Sequence, residues 1–312
     1  MRQCCRDDRR LGTGMVDKYS IRKLEYNTTH HCNLRCDSCD HLSPFFGPKD
    51  VKFDSSISLV EFNKQLDILS RYVCADELLI VGGEPLLREN ILEFMKSVRR
   101  SNIAKKTVLV TNGFLLHKQN DELFDLVDKI TISLYPSMPL RKDLVEQARA
   151  RCARHSVELE LFVQPKFSMS IVGIKTENAT LVDGIFNTCH LAWTQRCYAL
   201  HDGYVYRCSR APFIGYKLYS VGLVERDFSK DDGLKVEDSE DFGARIAVYF
   251  NRPTALKSCA YCLGSVGKRI QHRQLSKTEI QDEAWATHSI DDSIDRAKAF
   301  RKLTMWRWLK VR

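Results

Sequence analysis

Short apolar segments alternate with helical segments over the first half of the chain, and this alternation constrains the fold most. Candidate strands lie at Ile21–Tyr26, Leu78–Val81, Thr107–Val110, Ile130–Leu134 and Leu159–Val163. Apolar residues at helical spacing fill the intervals between them, at Leu59–Arg71, Ile91–Arg99, Leu123–Val127 and Asp143–Arg154. Strand–helix repetition at this pitch predicts an α/β fold of parallel βαβ units, in an open sheet or a partial barrel.

The alternation ends after Pro165, and composition divides the chain into four predicted regions. They are an N-terminal extension (1–19), an α/β core (20–185), a cysteine-rich module with a hairpin turn at Asp202-Gly203 (186–265), and a basic helical segment (266–312). No run approaches eighteen apolar residues, so the sequence predicts no membrane span. The start, MRQCCRDDRR, lacks the apolar stretch of a secretory signal. We therefore expect a cytoplasmic protein.

The chain has twelve cysteines in 312 residues. In a reducing compartment, cysteines predict metal ligands or catalytic groups before disulfides. The formal net charge of +8 resides largely near the chain ends, above all in 294–312. Such a basic segment could meet nucleic acid, an anionic membrane or an acidic partner. We expect instead a C-terminal helix packed through Phe300, Leu303 and Trp306, with its basic face in solvent.

Three cysteines, Cys32, Cys36 and Cys39, follow the first candidate strand within eight residues. Three thiolates on one loop can ligate three irons of a [4Fe–4S] cluster and leave the fourth iron free for a non-protein ligand. A structural zinc site would want a fourth protein ligand, and His31 and His41 are the nearest. The spacing alone does not decide between these sites.

The CxxxCxxC spacing resembles the signature of radical S-adenosylmethionine (SAM) enzymes, and the resemblance extends over about residues 20–165. Gly82-Gly83-Glu84-Pro85 is similar to that family's GGEP motif, whose backbone and glutamate receive the amino group of SAM. Thr111-Asn112-Gly113 follows the third strand, and Ser133 lies where the family often places a ribose contact. Ser38 departs from the pattern, because the family usually has an aromatic residue there. Adenine contacts could then come from Asp40–Pro44.

Five further cysteines, Cys189, Cys197, Cys208, Cys259 and Cys262, resemble the auxiliary-cluster module of the same family, called SPASM in its longer form and twitch in its shorter one. No cysteine follows Cys262, so one auxiliary [4Fe–4S] cluster is the most that the sequence allows. Family spacing favours every member except Cys197 as a ligand. Hairpin geometry favours Cys197, which would lie directly across from Cys208. The choice of four stays open, and a structural zinc ribbon is the alternative.

The resemblance implies a partial (β/α)6 TIM-like barrel with a small cysteine-rich β-hairpin module and a C-terminal helix. It implies a radical SAM enzyme of the oxidoreductase or epimerase type. In that family, reductive cleavage of SAM gives a 5′-deoxyadenosyl radical, which takes a hydrogen atom from the substrate. The expected cofactors are a SAM-binding [4Fe–4S] cluster, SAM and one auxiliary [4Fe–4S] cluster. The expected partners are a small-molecule substrate and an electron donor such as flavodoxin or ferredoxin, while nucleic acid is disfavoured.

The predicted substrate is small and polyhydroxylated, in the sugar, aminocyclitol or aminoglycoside class, as for natural product enzymes that resemble this chain. The outcome would be oxidation, epimerisation or dehydration. A ribosomal-peptide maturase is the alternative, although the 31 residues before Cys32 leave little room for peptide recognition. A non-catalytic iron–sulfur or zinc-binding scaffold is an alternative of another class. The catalytic residue is unassigned, apart from a spare cysteine such as Cys197 as hydrogen donor.

Overall fold

The structure, a computed structural model, describes residues 18–47 and 57–310, and the side chains within 305–310 are not described. Its strands are β1 (Tyr19–Asn27), β2 (Val73–Val81), β3 (Ala104–Thr111), β4 (Lys129–Leu134), β5 (Glu158–Val163), β6 (Lys166–Ser168), β7 (Cys197–His201), β8 (Tyr204–Tyr206), β9 (Gly233–Lys235) and β10 (Arg269–Gln271). Its helices are α1 (Leu59–Tyr72), α2 (Ile91–Ser101), α3 (Glu122–Asp125), α4 (Lys142–Arg154), α5 (Ala179–Asn187), α6 (Ala211–Ser220), α7 (Phe242–Asn251), α8 (Lys277–Gln281), α9 (Ile290–Ser293) and α10 (Arg296–Lys310).

One eight-stranded sheet organises the fold, in the order β5-β4-β3-β2-β1-β7-β8-β9. The six neighbouring strands from β5 to β7 are all parallel to one another. Strands β8 and β9 extend the sheet in antiparallel pairing, while β6 and β10 form a separate two-stranded sheet. The predicted α/β class with a parallel-strand core is therefore confirmed.

Apolar side chains from the strands and from the first two crossover helices form the main core. Tyr26 near the end of β1 stacks on Phe62 of α1 with 4.2 Å between ring centroids, and Phe94 of α2 packs against both. Helix α1 begins where the Ser58 side chain accepts a hydrogen bond from the Glu61 amide. Because strands β1–β4 are parallel, their carboxyl ends come together at one end of the sheet.

The cysteine-rich region is continuous with this sheet. Strand β7 lies beside β1, so the sheet runs through the boundary predicted at 185/186. The predicted turn at Asp202-Gly203 is confirmed: both residues have positive φ, and His201 pairs with Tyr204 across it. The four-region division of the chain stays a prediction.

Helix α10 packs differently from the expectation. Phe300 is 71% exposed, so its predicted role in packing is wrong, whereas Leu303 packs against a small cluster with Ile185. The side chain of Trp306, the third predicted contact, lies outside the described part. No helix in the described ranges is long and apolar enough to cross a membrane.

Candidate active site

A cavity of about 450 Å³ opens at the carboxyl ends of strands β1–β4. It brings together most of the residues that the sequence predicts for the SAM site: Cys32, Cys36, Cys39, Gly82, Gly83, Asn112 and Ser133. Two predicted SAM-binding residues, Glu84 and Pro85, are buried beside it and are not among its described lining residues. The cavity therefore joins a three-thiol loop to the ends of three neighbouring strands.

Two glycines allow the loop after β2 to approach the segment that leads into the cysteines. The amide of Gly83 donates to the Thr29 carbonyl over 2.7 Å, and the Glu84 amide donates to the His31 carbonyl over 2.8 Å. A Cβ atom at Gly82 would lie 2.4 Å from the Thr29 oxygen, and one at Gly83 would lie 2.2 Å from the His31 oxygen. Glycine is required here because any side chain would separate these two backbones.

Glu84 has a structural role that the sequence did not predict. Its carboxylate accepts hydrogen bonds from the Thr111 hydroxyl (2.7 Å) and from the amides of Leu86 (3.1 Å) and Asn112 (2.8 Å). Burial raises the pKa of Glu84, and these three donors oppose that shift. In the structure, the carboxylate thus ties the end of β2 to the end of β3. Its predicted contact with the SAM amino group stays a prediction.

The cysteine loop is held by a segment from the far end of the chain. The Gln274 side chain donates to Cys36 Sγ over 3.5 Å and accepts from the Arg35 amide over 2.5 Å. Arg273 forms an ion pair with Asp37 at 2.7 Å. Burial raises the pKa of Cys36 to about 12, so an iron–sulfur cluster would displace its proton. The sequence did not predict this clamp, the contact of Gln274 and Arg273 with the cysteine loop, because Gln274 and Cys36 are 238 residues apart.

Asn112 connects the third strand end to the same loop. Its side-chain amide donates to Asn33 Oδ1 over 2.7 Å and lies 3.9 Å from Cys32 Sγ. Burial also raises the pKa of the Cys32 thiol to about 12. Asn112 is thus placed to orient the first cysteine rather than only to line the cavity.

The cavity lining shows which side chains are available for adenine contacts in place of the aromatic residue that Ser38 replaces. Ser38 has positive φ (55°), a backbone region that a bulky side chain adopts only at a cost. Asp40 and His41 line the cavity as expected, and so do the aromatic side chains of Tyr135 and Phe167. Tyr135 follows β4 two residues after Ser133, a strand-end position that could have drawn attention to it.

Three cations on separate elements line the same cavity: Lys166 on β6, Arg269 on β10 and Lys298 on α10. Burial and the neighbouring charges of Lys302, Arg269 and Arg301 lower the pKa of Lys298. The one acidic residue among the described lining residues is Asp40, which is ion-paired with Arg210 at 2.8 Å. This lining attracts anions. Arg269 and Lys298 belong to the basic segment 266–312, but the sequence did not place them at this cavity.

A second cavity collects four of the five remaining candidate cysteines, Cys189, Cys208, Cys259 and Cys262. Its other walls are mostly apolar, with Ile185, Phe186, Ala211 and Leu256 among them. Burial raises the pKa of Cys208 to about 12, and the neighbouring thiols of Cys189 and Cys262 add to that shift. The structure therefore gathers the set that family spacing favours.

Cys197 is set apart from that cavity. Its thiol donates to Glu25 Oε1 over 2.7 Å, between β7 and β1. The hairpin ladder ends at the Ala199–Tyr206 pair, two residues short of the predicted pair with Cys208. Within the described chain, Cys197 lines neither cysteine cavity. Its predicted roles as cluster ligand and as hydrogen donor stay predictions.

A comparison with known protein families matches the part of the chain that supplies most of the first cavity. Residues 26–178 match the radical SAM superfamily. The chain carries a radical SAM domain. This radical SAM domain contains the three-cysteine loop, the glycine pair, Asn112 and Ser133.

Curated relatives match the same part of the chain. A GTP 3',8-cyclase from Synechocystis sp. is 34% identical over 113 residues, which cover 35% of this chain and 32% of that protein. A GTP 3',8-cyclase from Desulforamulus reducens is 28% identical over 170 residues, covering 53% of this chain and 51% of that protein. The chain thus spans between about a third and a half of the length of these relatives. Among solved structures, BtrN in complex with AdoMet and 2-DOIA aligns with 80% of this chain and 95% of its own, at 15% identity and a TM-score of 0.46.

The donor sets of both cavities suit iron–sulfur clusters. Three thiols beside an open cavity leave one cluster position for another ligand, and four thiols in a mostly apolar cavity can enclose a cluster completely. Within the described residues, no three His, Cys, Asp or Glu side chains are arranged to hold a single metal ion. The thiolates of a four-iron cluster stand farther apart than those around one ion, because each binds a different corner.

Proposed function

We propose that the chain is a radical SAM enzyme that takes a hydrogen atom from a small polyhydroxylated substrate bound in the first cavity. The observation that carries the proposal is the convergence of Cys32, Cys36 and Cys39 with the ends of β2, β3 and β4 on one cavity. These cysteines would hold the SAM-binding cluster. When bound, the cluster supplies one electron that cleaves SAM to methionine and the 5′-deoxyadenosyl radical.

The protein's own residues would orient SAM and exclude water. The backbone of Gly82 and Gly83 faces the cavity beside the cysteine loop, and Ser133 offers a hydroxyl at the end of β4. Tyr135 and Phe167 supply aromatic surface for the adenine ring or the substrate. With SAM and substrate bound, the walls of this site would keep a radical away from solvent and from stray hydrogen donors.

The four-cysteine cavity supports the second part of the proposal, an auxiliary [4Fe–4S] cluster held by Cys189, Cys208, Cys259 and Cys262. Its walls make it a dry site next to the radical SAM domain. An auxiliary cluster there is compatible with oxidation, epimerisation or dehydration. Flavodoxin or ferredoxin as electron donor and a cytoplasmic location stay predictions.

The cations of the first cavity refine the substrate class. Lys166, Arg269 and Lys298 would repel a polycationic aminoglycoside, because like charges in a confined site disfavour binding. They favour a polyhydroxylated molecule with an anionic group, such as a sugar phosphate. A nucleotide is the second candidate, since the curated relatives are named GTP 3',8-cyclases and a nucleotide combines hydroxyls with phosphates.

The test is reductive SAM cleavage by the reconstituted protein under anaerobic conditions with dithionite. We expect 5′-deoxyadenosine from the parent protein and none from a Cys36→Ala variant. Cys152→Ala is the matched control, because Cys152 is equally buried but lies in α4, away from both cavities. Product formation by Cys36→Ala at the parent rate would refute the assignment of the loop.

The same assay ranks substrate classes. We expect a sugar phosphate, UDP-glucose or GTP to stimulate 5′-deoxyadenosine formation more than a neutral sugar does, and an aminoglycoside to stimulate it least. Stimulation by the aminoglycoside alone would contradict the role given to the three cations.

A further inference from the structure

One ion pair, between Arg210 and Asp40, lies between the two cysteine cavities. Arg210 lines the four-cysteine cavity, and its partner Asp40 lines the first cavity, next in sequence to Cys39. Arg210 Nη2 donates to Asp40 Oδ2 over 2.8 Å. Arg210 Nη1 donates to the Gly264 carbonyl over 3.1 Å and lies 3.9 Å from Cys262 Sγ. A single guanidinium therefore touches both cysteine loops.

The burial of this pair is uneven. The Arg210 side chain is 8% exposed, whereas the Asp40 side chain is 47% exposed. Arg210 Nε has no hydrogen-bond partner among the described residues. Moving a guanidinium out of water costs free energy, and an ion-pair partner that is half exposed to water offsets only part of that cost. A further negative group beside Arg210 would offset the rest of the desolvation cost.

The four-cysteine cavity is the place for such a group. A [4Fe–4S] cluster with four thiolate ligands is an anion, and it becomes more negative by one charge when it is reduced. Arginine keeps its charge at any pH at which the protein folds. A fixed cation at a ligand sulfur therefore stabilises the reduced cluster more than the oxidised one, as hydrogen bonds to cluster sulfurs do.

We propose that Arg210 is a positioning residue that raises the reduction potential of the auxiliary cluster and, through Asp40, fixes that cluster beside the SAM-binding loop. This inference rests on the proposed auxiliary cluster. It adds a role for Arg210, whose guanidinium contacts residues of both cysteine loops.

The test measures the potential of the auxiliary cluster alone. The full chain with Cys32, Cys36 and Cys39 all replaced by alanine removes the first cluster, so that the paramagnetic signal of the reduced protein comes from the second. A dithionite titration followed by this signal gives the midpoint potential in that background, and again with Arg210→Met, Arg210→Lys or Asp40→Asn added.

We expect Arg210→Met to lower the equilibrium constant for one-electron reduction at least tenfold, which is a fall of about 59 mV. Arg210→Lys should recover part of this loss because it keeps the charge, and Asp40→Asn should raise the potential because the opposing carboxylate is gone. The matched control is Arg273→Met, which breaks the other Arg–Asp pair on the same loop, with Asp37. It should leave the potential of the second cluster unchanged.

Iron content separates the two claims. If the triple-alanine background holds no iron, the auxiliary cluster itself is refuted. If it holds about four irons and Arg210→Met has the same midpoint potential as its parent, the role of Arg210 is refuted. An equal fall in Arg273→Met and Arg210→Met would also refute it, because the effect would then come from a loosened loop.

Discussion

Glu84→Gln tests most directly whether the GGEP glutamate braces two strand ends. The substitution keeps the shape of the side chain and exchanges one acceptor oxygen for an NH2 donor. If the NH2 takes the Oε2 position, it opposes the Asn112 amide. If it takes the Oε1 position, the Thr111 hydroxyl can turn to accept, but the Leu86 amide is left opposite a donor.

Either orientation leaves one backbone N–H, that of Asn112 or of Leu86, unsatisfied; both residues are buried, and Glu84 itself has no exposed surface. An unsatisfied buried donor costs about 1–3 kcal/mol, so we expect Glu84→Gln to lower the free energy of unfolding by about that amount. Urea unfolding of the iron-free protein measures it, with Glu89→Gln as the control because Glu89 is exposed on the same loop.

The competing interpretation predicts a different pattern. If Glu84 mainly contacts the amino group of SAM, Glu84→Gln should weaken SAM binding and leave the unfolding midpoint where it was. Unchanged stability with weaker SAM binding would refute the bracing role. Lower stability before any SAM is added would support it.

Two further predictions concern the cysteine sites, and a third concerns the segment that holds the first of them. Gln274→Leu removes the donor to Cys36 Sγ; at about 1 kcal/mol for one hydrogen bond, a chelator should remove the first cluster roughly fivefold faster, and an unchanged rate would contradict the clamp. Cys189→Ser should abolish the second cluster while Cys197→Ser keeps it, measured as iron per chain; the reverse result would make Cys197 the ligand. Arg273 and Ser276 lower the pKa of Glu279 to about 2, below its unfolded value of about 4.3. The stabilisation is thus present above pH 4.3 and is lost as the pH falls toward 2. Amide exchange in 272–279, corrected for intrinsic rates, should be faster at pH 3 than at pH 5, and equal protection would contradict it.

The sequence predicted the parallel-strand core because its signals are local. The second half of β2, Leu78–Val81, is a continuous apolar run, and helices such as α1 have regular spacing with a capping serine. The cysteine loop and the glycine pair also stood out, since each lies within a few residues at a strand end. Such patterns depend only on neighbours along the chain.

The remaining features depend on contacts between distant segments. The Gln274–Cys36 and Arg210–Asp40 pairs join residues 238 and 170 positions apart, and nothing in the sequence near either partner announces them. Cys197 is a further example. Its hairpin position pointed to Cys208, whereas the structure gives its thiol a hydrogen-bond partner in Glu25 on the neighbouring strand β1, a contact without a local signal in the sequence. Tertiary pairing therefore decided which cysteine was set apart.

The central claim is that this chain holds two iron–sulfur clusters, one of which binds SAM. Anaerobic reconstitution followed by iron, sulfide and zinc analysis tests it, with the spectrum of the reduced protein recorded before and after SAM is added. We predict about eight irons per chain, about four in the variant without Cys32, Cys36 and Cys39, and a change on SAM addition only when those cysteines are present. Four irons in the parent protein would remove the auxiliary cluster, and stoichiometric zinc with no response to SAM would contradict the account as a whole.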